Sequence, residues 1–412
     1  MDYYSLIKKS PGLLSFGFGI NFFSCLGQTF YISLYNDSFR SSFSITHGEL
    51  ATLYGLATIL GSFCMLALGW LLDKIDLRKF MFFNSLTVAF SCWLLSTADT
   101  VIIIFISFFL LRLSAQGLWG LSAQVTMARY FDKERGLAAS FANNGFALGF
   151  AFVPIIGVWL IDNINWRDIW LYSCYFVLFL IIPLTAFQLK GHDERDKKYK
   201  NKLKLEAQCN KINETKQLSL KYAINDTQFW LIQPAILAAT AIIFSIQFHQ
   251  LYILSSKQWT IESYAFGYII FSLMLLVGSL VAGHIVDKLG SIKLMYFYLW
   301  PLIPALLLLG YFDNDIFIFI IMTLTGFSYG MCLVAFVTVW AELYGTQFMG
   351  QIRTFNFSMN VLLTSAAMAL TGWLIDIGVN LNILCLGGIS FIIFSIILLK
   401  FSERIKFINQ EV

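Results

Sequence analysis

Arg112 stands inside an apolar run covering residues 100–127, with Gln116 and Trp119 four and seven positions later. In a regular α-helix that spacing puts all three on one face. A guanidinium with a neighbouring carboxamide can hold a carboxylate through paired, charge-assisted hydrogen bonds. A charge at the centre of a bilayer costs about 2.5–3.5 kcal/mol on insertion scales, so an arginine at that depth marks a functional position by default. The structural alternative is an arginine bonded to backbone carbonyls of an adjacent helix.

The composition shows what must position this group. The 412 residues are 58% hydrophobic and 13% charged, with a mean hydropathy of +0.72. Soluble domains carry about 25% charged residues. Lipid can cover that much apolar surface and a globular interior cannot, which implies a polytopic membrane protein. Twelve apolar segments can be marked, at 13–36, 48–72, 79–98, 100–127, 136–161 and 166–189, then 228–254, 262–287, 291–311, 315–341, 349–376 and 380–401. Only helices or closed barrels satisfy their backbone in lipid, and continuous apolar runs exclude barrel alternation. The expected class is therefore all-α. Lys8 and Lys9 imitate a signal peptide, but the apolar run after them reaches Tyr35 and reads as a first span that stays.

Residues 190–227 are polar, with ten Lys/Arg and six Asp/Glu, and read as a solvated linker between an N-terminal half, 1–189, and a C-terminal half, 228–412. Of the 28 basic residues, 24 fall on one side of the alternating loops, which puts both termini and the linker in the cytoplasm. The net charge of +4 carries no nucleic-acid signal. Six of the seven cysteines lie in apolar segments without metal-ligand spacing, so neither a metal nor a bound cofactor is expected.

A charged elbow, with Gly69, Asp73, Lys74, Arg78 and Lys79, separates two of these segments. Shifted by 214 positions it returns as Gly283, Asp287, Lys288, Gly290 and Lys293, and Trp159-Leu160-Ile161-Asp162 returns as Trp373-Leu374-Ile375-Asp376 at the same shift. One offset shared by two patterns points to a duplicated half. The elbows resemble the loop signature of the major facilitator superfamily, with Asp76 where that signature has Gly and Ile292 where it has a base. Arg112 through Gly120 resembles a second signature of the superfamily, whose arginine is associated with proton or substrate handling. The run Arg129 to Ala138, then Gly149, Pro154, Gly157 and Asp162, resembles the monocarboxylate and oxalate/formate branch. Val153 before Pro154 departs from the Gly-Pro pair of drug/proton antiporters.

The resemblance implies twelve helices in two pseudo-symmetric six-helix halves, with a cavity lined by the first, fourth, seventh and tenth spans. Candidate lining residues there, beside Arg112, Gln116 and Trp119, are Asn21, Gln28, Tyr31, Gln247 and His249. For the amides inter-helix hydrogen bonding is an equal contender. His249 could titrate and couple protons, or be a bonded packing residue. Candidate gating residues are the elbow positions, with Arg129 and Arg135 as contacts for the aspartates and Glu342 facing an elbow base or Arg353. Arg353, Asn356, Asn360 and Thr364 form a stripe at helical spacing, as gating contacts or as packing.

The function so implied is proton-coupled symport of a small organic anion such as a monocarboxylate, by a monomer in a bacterial inner membrane. Its rivals are export of drug-like or siderophore compounds and transport of amino acids. Outside transport stand a membrane-embedded enzyme and a receptor without turnover.

Overall fold

The computed structural model describes residues 10–69, 75–131, 135–192, 195, 220–344 and 349–408. Every regular element among them is a helix. Eleven are long and apolar enough to cross a bilayer, and a bent pair makes a twelfth. That pair, α1, comprises Pro11–Gly27 and Thr29–Phe43, bent by 46°. The others are α2 (His47–Gly69), α3 (Leu77–Ser96), α4 (Val101–Met127), α5 (Arg135–Asn163) and α6 (Trp166–Gln188). After the linker come α7 (Thr227–Phe248), α8 (Ile261–Leu289), α9 (Ser291–Tyr311), α10 (Ile316–Tyr344), α11 (Met349–Asp376) and α12 (Leu381–Ile408).

The helix starts follow from side-chain caps. Asp76 accepts from the amides of Arg78 and Lys79 to open α3, Asn165 from Arg167 to open α6, and Asp226 from Gln228 to open α7. Thr100 and Thr260 do the same for α4 and α8. Such a cap contributes about 0.5–2 kcal/mol relative to alanine. Large side chains such as Ile102, Phe179 and Leu280 stay exposed, at 71%, 77% and 70%, as lipid-facing helices require.

The chain divides into two compact units, Met1–Tyr35 with Leu60–Thr215, and Asn36–Ile59 with Lys216–Val412. The second unit thus takes in the end of α1 and the first half of α2, residues that the sequence reading assigned to the N-terminal half. Within the first unit α1 packs on α5, and α3 on α4 and α6. A Cβ at Gly145 would meet the Phe18 carbonyl oxygen at 2.0 Å, so only glycine lets α5 approach α1 this closely. In the second unit α8 packs on α10, and α7 on α11 and α12. There a Cβ added at Gly278 would likewise meet the Phe327 carbonyl oxygen, at 2.3 Å.

Candidate functional site

The first unit has its discontinuity where α1 breaks. Ser24–Gly27 tightens into a 3-10 turn, and Gln28 is extended at φ −84° and ψ 150° before the helix resumes at Thr29. An extended residue interrupts the hydrogen-bond ladder and leaves nearby carbonyls without their usual donors. Arg112 supplies one. Its guanidinium is 8% exposed, and Nη1 donates to the Gly27 carbonyl oxygen at 3.1 Å and to Thr29 Oγ1 at 3.4 Å. The arginine therefore fixes a positive charge at the kink in α1.

The shared face expected for Arg112, Gln116 and Trp119 does not form. Residues Arg112–Trp119 wind as a π-helix, whose wider turn rotates later residues away from the α-helical register. Trp119 is fully buried and donates from Nε1 to Ser85 Oγ on α3 at 3.2 Å. Gln116 is half-buried, and its backbone amide runs against Gly27, where a Cβ would lie 2.8 Å away. So the structure brings Arg112 and Gln116 to the α1 break and turns Trp119 to α3.

The α1 candidates separate as well. Asn21 donates from Nδ2 to the Ala142 carbonyl oxygen on α5 at 2.9 Å, an inter-helix tie. Tyr31 accepts from the Tyr35 hydroxyl at 2.9 Å and packs edge-on against Trp170 at 5.8 Å. Gln28 is 7% exposed and sits in the break itself.

In the second unit, Gln247 and His249 are buried at the end of α7. His249 Nε2 donates to the Met368 carbonyl oxygen on α11 at 2.9 Å, and its ring lies 6.3 Å from that of His47. At this end of α11, Asp376 accepts from the backbone amides of His47 at 3.0 Å and Gly48 at 2.6 Å. A carboxylate on the first amides of α2 satisfies orphan donors and meets the positive end of the helix dipole. Trp373 donates from Nε1 to Thr52 Oγ1 at 3.0 Å. The duplicated Trp-Leu-Ile-Asp run thus supplies, in its second copy, two side chains that bond α11 to α2. A cavity of about 330 Å³ lies beside them, lined by Asp37, Arg40, Ser41, Ile45, His47, Tyr252 and Ser255.

The elbow residues divide between described and undescribed positions. Asp73 and Lys74, and the side chains of Arg135 and Arg353, lie outside the described residues. Gly69 ends α2, and Arg129 is half-buried in the segment Gly120–Tyr130 that prolongs α4. Asp76, the departure from the family's glycine, accepts from Arg78 Nε at 3.4 Å and lies 3.6 Å from Nδ1 of the buried His192. His192 Nε2 is in turn 2.8 Å from the Tyr130 hydroxyl, which ties the first turn of the linker to the elbow. Partial burial raises the Asp76 carboxyl, but the Arg78 side chain and the amides of Arg78 and Lys79 outweigh it and hold it below its ordinary value. Lys79 is exposed.

In the second elbow Asp287 and Lys288 are exposed in the last turn of α8, Gly283 lies within that helix, and Gly290 makes the turn at φ +85°. Glu342 has Oε2 on the Ser291 backbone amide at 2.7 Å, where it caps α9, and the side chain of Arg353, one of the bases expected to face it, lies outside the described residues.

A family model described as "Major Facilitator Superfamily" matches residues 17–363, most of the chain. The chain belongs to the major facilitator superfamily. This makes it an integral membrane transporter by family and fold, in line with its elbow and fourth-span motifs. Two solved structures of a bacterial homologue of the human lysosomal transporter Spinster, both inward-facing, share the fold. The unoccupied form has a TM-score of 0.62 at 12% identity, covering 96% of each chain. The occupied form has 0.63 at 12%, covering 97% of this chain and 96% of the other. Among curated relatives, the multidrug export protein EmrB of Haemophilus influenzae is 24% identical over 128 residues, 31% of this chain. That match spans a quarter of the relative's length.

Proposed function

We propose that this superfamily member is a secondary active transporter for a small organic anion, such as a monocarboxylate, moved by alternating access with protons as the co-ion. The observation that carries the anion reading is the burial of the Arg112 charge, 8% exposed, at the break in α1. Its bond to the Gly27 carbonyl oxygen is the structural alternative, and a ligand screen decides between a structural and an anion-binding role. Discontinuous helices are where many secondary transporters coordinate their solutes, because freed backbone groups and helix ends converge there. Gln28 adds a carboxamide in the same break, and the Gln116 backbone runs against Gly27. His249, buried and bonded to α11, is the candidate for proton coupling, and symport follows if its protonation and solute loading are linked. We further infer both termini in the cytoplasm from the asymmetry of the basic loops, and a monomer in a bacterial inner membrane from the family.

The test is a thermal-shift screen of the purified protein against organic acids, amino acids and siderophores, repeated with Arg112→Ala. It is paired with proteoliposome uptake with and without a pH gradient. Carboxylates should stabilise the wild type and lose that effect in the variant. Stabilisation by cations alone, or unchanged binding by the variant, would sink the anion reading. The similarity to a multidrug export protein favours one rival, export of drug-like compounds, which adding such compounds to the screen separates from carriage of acids.

A further inference from the structure

Helix α7 carries Gln233, Thr240 and Gln247 at seven-residue intervals, and α11 carries Asn356, Asn360 and Thr364 at four-residue intervals. These spacings keep each set on one helical face. The two faces meet within the second unit, since Thr240 Oγ1 donates to Asn360 Oδ1 at 2.5 Å. Nearer the N-terminal ends of the same helices, the Phe229 ring lies 6.0 Å from Phe355 and 4.7 Å from Trp340 of α10. Gln233 stands one turn beyond Phe229, and Asn356 stands next to Phe355 and one turn before Asn360. Both amides therefore fall on the facing stripes, between an aromatic cluster and a closed hydrogen bond.

Gln233 is 3% exposed, and Asn356 and Trp340 are fully buried. Among the described residues, Nε2 and Oε1 of Gln233, Nδ2 and Oδ1 of Asn356, and Nε1 of Trp340 have no hydrogen-bond partner. A buried polar atom left unpaired costs the full desolvation of that group, and native proteins hold few of them. Four on the seam between α7 and α11, with a fifth on the Trp340 ring of α10 that packs against Phe229, point to an occupant that pairs with them. A carboxamide offers donors and acceptors together, and an indole N–H only donates. Uncharged groups of both kinds, beside the tilted rings of Phe229, Trp340 and Phe355, match a planar and neutral solute group. Asn and Gln side chains read nucleobase edges by this same two-point pairing.

We propose that Gln233, Asn356 and Trp340 form a recognition subsite for a planar, uncharged group bearing both a donor and an acceptor, a carboxamide or a nitrogen heterocycle. The proposal deepens the transport reading and rests on it, because the subsite would hold part of a carried solute. It is distinct from the anion-binding role given to Arg112.

The probes are nicotinamide and benzoate, applied to the full-length protein in detergent and read by thermal shift. Nicotinamide should stabilise the wild type in a saturable way. Gln233→Met and Asn356→Leu keep side-chain volume and remove the orphaned atoms. Their unliganded melting points should hold or rise, while half-saturating nicotinamide increases about tenfold or more. Trp340→Phe keeps the ring, loses the N–H, and should weaken nicotinamide alone.

Lower unliganded melting points in the two amide variants would mean that the amides pair with each other, and would overturn the subsite. So would an unchanged nicotinamide response, or none in the wild type, which would leave ordered water only as the occupant. Benzoate separates the two readings, since its stabilisation should vanish in Arg112→Met and persist in the amide variants. If proteoliposomes carry no solute while nicotinamide behaves as expected, transport fails and the subsite stands. If benzoate alone behaves as expected, the reverse holds.

Discussion

Arg112 Nη1 donates to the carbonyl oxygen of Gly27 at 3.1 Å, across the break in α1. The bond joins a residue marked by its charge to one with no mark in the sequence. Arg112→Lys keeps the charge but replaces the planar guanidinium, whose Nη1 reaches both Gly27 and Thr29, by a compact ammonium on a different stem. Loss of a hydrogen bond between membrane helices should cost about 0.6–2 kcal/mol, read as a lower unfolding midpoint in detergent. A Lys variant as stable as the wild type would remove the bond's structural role.

Trp119→Phe should lower stability by about 0.5–1.5 kcal/mol, the usual worth of one hydrogen bond, because Nε1 bonds Ser85. It should leave carboxylate binding unchanged, since the π-helical turn directs the indole to α3. A loss of binding, measured by the same thermal shift, would return Trp119 to the site.

Asp376→Ala removes the acceptor for the His47 and Gly48 amides at the start of α2. The expected penalty is that of a lost N-cap, about 0.5–2 kcal/mol, with faster hydrogen exchange confined to the first turn of α2. Asp376→Asn keeps an acceptor oxygen and should recover part of the protection. Uniform exchange along α2 in the alanine variant would show that the carboxylate does not hold that turn.

Asp76 makes stability depend on pH. Its carboxyl lies below its ordinary value of 3.8 in the folded protein, so its contribution is full above the unfolded-state pKa. That contribution fades as pH falls through 3.8 and is gone below the lowered folded value. Asp76→Gly, which restores the family's residue, should flatten this acid limb when unfolding midpoints are compared with the wild type. Parallel acid limbs would show that Asp76 carries none of the linkage.

The twelve apolar segments, the duplicated elbows and the buried charge of Arg112 were legible because lipid leaves few ways to bury a backbone or a guanidinium. The break at Gln28 was not, since no proline marks it and the kink is held by Arg112 from another helix. The π-helical turn was equally silent, as its residues suit an α-helix, and it undid the face assigned to Trp119. The Trp-Leu-Ile-Asp repeat was visible as a pattern, yet its work at the start of α2 needed a partner more than 300 positions away. The charge of Glu342 is legible in the sequence, whereas its cap on the Ser291 amide of α9 is a backbone task that composition does not signal.

The second compact unit takes in Asn36–Ile59, so the packing of the chain does not divide at the central loop alone. A protein split in its central loop would yield two incomplete fragments. The first would carry Asn36, His47 and Gly48 away from the helices that receive them. The second would expose the Phe248 carbonyl and the Asp376 carboxylate that those residues cover.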